Sequence, residues 1–296
     1  METLSSAFRD AIKQVVALSR TSTLVTEQNV YQTGQAEIRP LIDGIITDLL
    51  LPGSGISGME HLSDLLNRSY AGKSCLLLLE HYSNLDLPIF SYLLRVAGPQ
   101  GIAIADALVA IAGMKLNEAS PTVAAFTGAY TRIIIYPSRS LQTLDNEHNR
   151  EEIVRSNAIN RAAMKTLLDL KTRGKLILVF PSGTRYRPWD PSTKKGVREI
   201  DSYIKSFDYM CFVAINGELL HVRQGDMMDD YVSQDVVRFT AGPVLSCTAF
   251  RDAARARAEA AGIADKKQAA VDAIMEQLQA MHNQAEADRK GLLPSA

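Results

Sequence analysis

Cysteine and long apolar runs are both scarce in this sequence. The three cysteines in 296 residues are Cys75, Cys211 and Cys247. Their spacing is not that of a disulfide framework or a zinc site, so we expect free core thiols in a reducing compartment. The longest mostly apolar stretch, residues 101–116, is broken by Asp106 and Lys115. It is too short and too interrupted for a membrane-spanning helix, which needs roughly 18 apolar residues.

An excess of charge of one sign is also missing. The formal net charge is −1, which does not favour a nucleic-acid partner. The N-terminus lacks the basic start and apolar core of a signal peptide, and Glu2 and Asp10 argue against a transit peptide. The acidic residues within 225–230 lack the spacing of a calcium loop and are interpreted as a solvated turn. We therefore expect a cytoplasmic protein without a metal, with peripheral membrane contact as an alternative.

Hydrophobic residues are abundant, at 46%, so the chain can bury a sizeable core. Apolar residues at helical spacing, such as Leu41, Ile45 and Leu49, predict a small helical domain over residues 1–70. Residues 71–296 alternate strand-like and helical stretches and end in helices. This pattern predicts an α/β domain whose mainly parallel mixed sheet is flanked by helices. The predicted strands are 75–79, 101–105, 132–136, 175–180, 210–215 and 236–240.

A histidine and an aspartate bracket one strand-to-helix turn. His81 follows the apolar strand 75–79, and Asp86 starts the next helical stretch. A carboxylate that binds one imidazole nitrogen fixes the tautomer and leaves the other nitrogen to accept a proton. The alternative is a loop histidine beside an aspartate that stabilises a helix N-terminus. The remaining histidines lack partners nearby in sequence and are expected to be structural or exposed: His61, His148, His221 and His282.

Cations follow other predicted strands. Arg185 and Arg187 lie in a Gly- and Pro-containing loop after strand 175–180, and Arg139 follows strand 132–136. Ligands bind at the carboxyl ends of parallel strands, so we expect these arginines to converge near His81. Guanidinium groups bind phosphate oxygens at two points, and Gly183 allows close approach of backbone N–H groups to an anion. The alternative is a solvated basic loop, since Lys194, Lys195 and Arg198 follow.

The two motifs together resemble those of a known family. His81-x-x-x-x-Asp86, followed about a hundred residues later by Phe-Pro-Ser-Gly-Thr-Arg, resembles the glycerolipid acyltransferases. The form Pro-Ser-Gly-Thr-Arg-Tyr-Arg-Pro is most similar to the soluble plastid-type glycerol-3-phosphate acyltransferases. The resemblance covers roughly residues 59–221. Glu80 differs from the usual Asn of the family, and Ser140 replaces the second cation of the plastid group.

The resemblance implies a reaction and a set of site residues. His81 and Asp86 would be catalytic, and the acceptor phosphate would lie against Arg139, Arg185, Arg187, Gly183 and Thr184. The implied reaction transfers a fatty acyl group from acyl-carrier protein or a coenzyme A thioester to the 1-hydroxyl of glycerol-3-phosphate. The product is lysophosphatidate. No cofactor or metal is implied, because the thioester is already activated.

Three alternative functions share these motifs. The acceptor could be lysophosphatidate or another lysolipid, although the lack of an apolar span favours the small soluble acceptor. A hydrolase would use His81 to activate water, and product analysis with and without acceptor separates it. The third alternative is a non-catalytic lipid- or phosphate-binding relative, which the intact His81 and Asp86 disfavour.

Overall fold

A computed structural model describes residues 1–118, 120–137 and 149–293. The chain forms two compact units, each gathered from several stretches. The first unit comprises Met1–Ala7, Ile46–Leu108 and Lys171–Ala296, and the second comprises Phe8–Ile45 and Val109–Leu170. The sequence predicts two consecutive domains with a boundary at residue 70, and this boundary stays a prediction. Arg139 and Ser140 lie outside the described residues.

The main sheet of the first unit is built around one fully buried strand. Its strands are β3 (Gly55–Ser57), β4 (Cys75–Leu79), β7 (Leu176–Val179), β8 (Tyr209–Asn216), β11 (Arg238–Ala241) and β12 (Leu245–Ser246). Strand β4 pairs in parallel with β7 on one side and β8 on the other. Strand β8 then pairs antiparallel with β11 and β12, and β11 pairs in parallel with β3. A strand covered on both faces reads as a continuous apolar run, as Cys-Leu-Leu-Leu-Leu does.

Helices and a small second sheet complete the first unit. Its helices are α1 (Leu4–Ala7), α4 (Met59–Tyr70), α5 (Asp86–Val96), α6 (Pro99–Ala107), α10 (Ile200–Ser206), α11 (Cys247–Ala260) and α12 (Lys266–Lys290). Helices α4 and α12 both pack against β8. The small antiparallel sheet contains β1 (Glu2–Thr3), β9 (Leu220–His221) and β10 (Tyr231–Val232), with β10 in the middle.

The second unit pairs a few strands with helices. Its strands are β2 (Tyr31–Gln32), β5 (Leu108–Gly113) and β6 (Arg132–Ile135). Strand β6 pairs in parallel with β5 and antiparallel with β2. Its helices are α2 (Arg9–Leu18), the greater part of α3 (Arg39–Leu49), α7 (Lys115–Glu118), α8 (Pro121–Thr127) and α9 (Arg150–Leu170). Helix α9 packs against β6, and α2 packs against α8.

The predicted fold class is confirmed. The protein is α/β, with a large mixed sheet of mostly parallel strands flanked by helices and with a helical N-terminal portion. The predicted strand 101–105 is wrong, because these residues belong to α6, and Pro99 occupies the first turn of that helix, where proline is favoured.

Within the part of the chain that the structure describes, no helix combines the length and the apolar character needed to cross a bilayer.

Candidate active site

The carboxyl ends of β4 and β7 carry the two halves of the candidate site. The strands are parallel and in register, with Leu78 opposite Val179. The residues that leave them, His81 and Phe180, therefore emerge side by side. Their rings stack with centroids 4.0 Å apart and an interplanar angle of 19°. The sheet thus joins two motifs that are about a hundred residues apart in sequence.

His81 is held by Asp86 at the start of α5. Nδ1 of His81 lies 2.9 Å from Oδ2 of Asp86. The Asp86 side chain is almost fully buried, and its carboxylate also accepts the N–H groups of Tyr82 (2.6 Å) and Ser83 (2.9 Å) and the hydroxyl of Ser83 (2.9 Å). A carboxylate with this many donors is fixed in place, and the first turn of a helix favours its charge. With the proton on Nδ1, neutral His81 presents an unprotonated Nε2.

A second buried carboxylate lies on the other side of the turn. Glu80 is 6% exposed, and its Oε2 accepts the N–H of Ile215 in β8 at 2.8 Å. The Tyr82 hydroxyl donates to Oε1 at 3.0 Å, and Nδ1 of His282 in α12 lies 3.1 Å from Oε2. Burial, and then the negative charge of Glu80, raises the pKa of Tyr82, so its hydroxyl stays protonated as a donor. Glu80 thereby ties the turn after β4 to the C-terminal helix.

Tyr82 links the two carboxylates. Its backbone N–H donates to Asp86, while its hydroxyl donates to Glu80 and lies 3.2 Å from Nδ1 of His282. A single residue therefore joins the Glu80 and Asp86 carboxylates. His282 was expected to be structural or exposed, and it is a hydrogen-bonding partner of this turn.

The loop after β7 is closed by its own hydrogen bonds and attached to His81. The N–H of Val197 donates to the carbonyl of Pro181 at 2.9 Å, and the N–H of Tyr186 donates to the carbonyl of His81 at 2.9 Å. Gly183 has a φ of +64°, a conformation that favours glycine. Its own N–H donates to the Phe180 carbonyl at 2.9 Å, so this N–H is already used within the loop.

The loop arginines have different environments. Nη1 of Arg185 lies 2.6 Å from Oδ2 of Asp230, whose side chain is 0% exposed. Asp230 also accepts the N–H of Arg223 at 2.8 Å. Burial raises the pKa of Asp230, and the N–H of Arg223 and the charge of Arg185 oppose that rise. The interpretation of residues 225–230 as a solvated turn is therefore wrong for Asp230. The Arg187 side chain, by contrast, is exposed.

The structure brings together most of the predicted site residues. His81 and Asp86 are in direct contact, and Gly183, Thr184, Arg185 and Arg187 lie in the loop that Tyr186 joins to His81. Arg139 lies outside the described residues, so its convergence stays a prediction. Sequence reasoning missed Tyr82, Tyr186 and His282. The position of Tyr82 directly after His81 is a weak sequence signal for its role in this turn. His282 is far from both motifs in sequence, so no sequence signal pointed to it.

The fold and this site define an α/β protein in which a buried carboxylate positions a histidine beside a basic loop. The family model described as Acyltransferase matches residues 56–225, more than half of the chain. The chain belongs to the acyltransferase family, whose members transfer acyl groups from a donor to an acceptor in lipid synthesis. A comparison with curated proteins found no match.

Proposed function

We propose that this acyltransferase moves a fatty acyl group from a thioester of acyl-carrier protein or coenzyme A to the 1-hydroxyl of glycerol-3-phosphate, giving lysophosphatidate. The observation that carries the proposal is the contact between Nδ1 of His81 and Asp86, made beside a loop that carries two arginines. The pair suits activation of a hydroxyl, and the arginines suit recognition of a phosphate.

In the proposed mechanism, His81 acts as a general base. Nε2 removes the proton of the acceptor hydroxyl as its oxygen attacks the thioester carbonyl. The tetrahedral intermediate collapses, the carbon–sulfur bond breaks, and the imidazolium returns the proton to the departing thiolate. Asp86 orients the ring and stabilises the imidazolium. The thioester is already activated, so the step needs neither an enzyme nucleophile nor a cofactor.

The phosphate of the acceptor would bind at the loop after β7. Arg185 is held by Asp230 through Nη1, and one guanidinium can donate to more than one acceptor because it carries five N–H groups. Arg187 lies two residues further along and is exposed, so it can turn toward an anion. Arg139 is the third arginine of the proposed phosphate site. The backbone of Gly183 and Thr184 would line the same site. The charges of this loop support a dianionic acceptor over a neutral one.

Product analysis tests the proposal directly. Labelled glycerol-3-phosphate is incubated with the protein and with acyl thioesters of coenzyme A and acyl-carrier protein, and the lipid product is identified by mass spectrometry. We expect lysophosphatidate acylated at the first carbon. Parallel reactions contain lysophosphatidate as the acceptor, or no acceptor. Faster acylation of lysophosphatidate would assign a lysolipid acceptor instead, and release of free fatty acid without an acceptor would indicate a hydrolase.

A matched pair of histidine variants links any product to this site. His81→Ala removes the proposed base, while His61→Ala removes a partly exposed histidine of α4 whose ionic neighbour is Glu60. We expect the product to disappear only with His81→Ala. The product is an amphiphile, so we propose that the enzyme works in the cytoplasm with peripheral contact to the membrane that receives it.

A further inference from the structure

Lys194 lies at the end of a short, fixed turn within the loop after β7. It is the last residue of the 3₁₀ helix Pro191–Lys194. The buried Thr193 next to it donates its hydroxyl to the Asp190 carbonyl at 2.6 Å and accepts the N–H of Arg187 at 2.9 Å. The turn is thereby joined to the segment that carries Arg187. The backbone of Lys194 is positioned by the loop itself.

The side chain of Lys194 points toward the His81 turn. Its Nζ lies 5.9 Å from the ring centroid of Tyr82 and 5.5 Å from that of Tyr186. The two rings meet edge to face, 6.2 Å apart. Tyr82 follows His81 in sequence, and the N–H of Tyr186 donates to the His81 carbonyl. Aromatic faces attract an ammonium group, so the two tyrosines hold the charge of Lys194 beside the residue that follows His81 and the residue that binds its carbonyl.

The charge of Lys194 is not neutralised in the way that its neighbours' charges are. Arg185 pairs with Asp230, and Arg198 pairs with Asp265 at 2.8 Å. Across residues 1–118, 120–137 and 149–293, no carboxylate forms a salt bridge with Lys194. Its side chain is half-buried. An ammonium group has three donors, and aromatic faces do not replace a hydrogen-bond acceptor, so these donors remain for an anion.

We propose that Lys194 binds the phosphate monoester of the acceptor, as a further cation of the site beside Arg187. This inference rests on the proposed function, because it assigns a contact to the same acceptor. The aromatic pair places the ammonium beside Tyr82, which follows His81, and Thr193 joins the turn that carries Lys194 to the backbone of Arg187. A phosphate bound there would keep the attached alcohol close to Nε2 of His81. The donor's own phosphates are the other source of the same chemistry, and the test separates the two.

The test compares two lysines that are adjacent in sequence. Lys194→Gln removes the proposed contact, and Lys195→Gln removes the same charge from an exposed neighbour in the same loop. Calorimetry measures binding of glycerol-3-phosphate and of glycerol without a donor, and kinetics then give the constants of both substrates. We expect Lys194→Gln to raise the dissociation and Michaelis constants for glycerol-3-phosphate about tenfold, as loss of one charge-assisted hydrogen bond predicts. The turnover number and the donor's constant should stay within about twofold.

Lys195→Gln should behave as wild type, and Lys194→Arg should retain most of the affinity because the charge is kept. Equal effects of the two glutamine variants would overturn the inference, since only general charge would then matter. A raised donor constant with unchanged glycerol-3-phosphate binding would assign Lys194 to the donor and also overturn it. If wild type binds and acylates glycerol-3-phosphate while Lys194→Gln does so equally well, the inference alone fails. If wild type neither binds nor acylates it, the proposed acceptor fails as well.

Discussion

The Asp86 carboxylate holds Nδ1 of His81 at 2.9 Å, and it is itself held by two backbone N–H groups and a hydroxyl. The position of the carboxylate is therefore set by the turn after β4 and does not depend on the imidazole. A ring bound to such a fixed acceptor has one orientation and one favoured tautomer. This arrangement makes His81 suitable as a base before any substrate binds.

Replacing Asp86 separates this role from a purely structural one. We expect Asp86→Asn to lower the turnover number by about 10²–10⁴-fold, because an amide can support the wrong tautomer of His81. The fold should persist, since Asn also tolerates a helix start well. Melting temperature and rate are measured on the same preparation. Retention of near-normal turnover with a modest stability change would favour the helix-stabilising alternative.

The pairing of Arg185 with Asp230 predicts a pH-dependent stability effect. The pKa of Asp230 is raised by burial even beside Arg185, and removal of the cation should raise it further. A carboxyl whose pKa in the folded protein lies above its unfolded value of about 3.9 destabilises the fold. The destabilisation grows as the pH rises from the unfolded pKa through the folded pKa. Arg185→Ala should therefore cost about 3–5 kcal/mol at neutral pH, the usual cost of breaking a buried pair, and less in acid.

Urea unfolding of both proteins at several pH values measures this effect. The difference in unfolding free energy should shrink as the pH falls below the folded pKa of Asp230. The double variant Arg185→Ala/Asp230→Asn is the control, because it removes the uncompensated charge and should lose the added pH dependence. A difference that is constant with pH would show that packing, and not the Asp230 charge, causes the instability.

The contact between Glu80 and His282 predicts that the C-terminal helix affects turnover. His282→Leu removes the donor to Glu80 and one of the two polar contacts of the Tyr82 hydroxyl, so we expect the turnover number to fall about tenfold, in line with loss of one hydrogen bond to a charged group. The Michaelis constants should change little. His282→Asn should restore much of the rate, because its amide N–H can replace the Nδ1 donor.

Arg289→Met is the matched control on the same helix. It removes the contacts of Arg289 with Glu286 at 2.9 Å, with Asp235 at 2.8 Å and with the Val236 carbonyl at 3.1 Å, none of which involves Tyr82 or Glu80. We expect a lower melting temperature and an unchanged turnover number. If both variants lowered turnover only in proportion to lost stability, His282 would have no specific influence on the His81 turn.

The parts of the fold and site that could be predicted from the sequence are those set by residues close together along the chain. Strand β4 could be predicted because a strand buried on both faces is apolar throughout, and the meeting of His81 with Asp86 follows from a short turn. Residues 101–105 were misassigned because a short apolar run also suits a buried helix.

Partners supplied by tertiary packing could not be predicted. Glu80 and His282 are 202 residues apart, and their contact depends on how α12 packs on β8. Asp230 likewise reaches Arg185 from 45 residues away, out of a segment whose composition suggested a solvated turn. No periodicity or motif in a single sequence records such pairings, since they arise only when elements distant in sequence pack together.

The measurement that tests the central claim most directly is single-turnover acyl transfer by His81→Ala, with glycerol-3-phosphate binding measured on the same sample. The account predicts a rate reduced about 10²–10⁴-fold, the usual contribution of a general base, with acceptor affinity within about threefold of wild type. The His61→Ala protein should match wild type in both. A His81→Ala protein that transfers the acyl group at a near-normal rate would contradict the account.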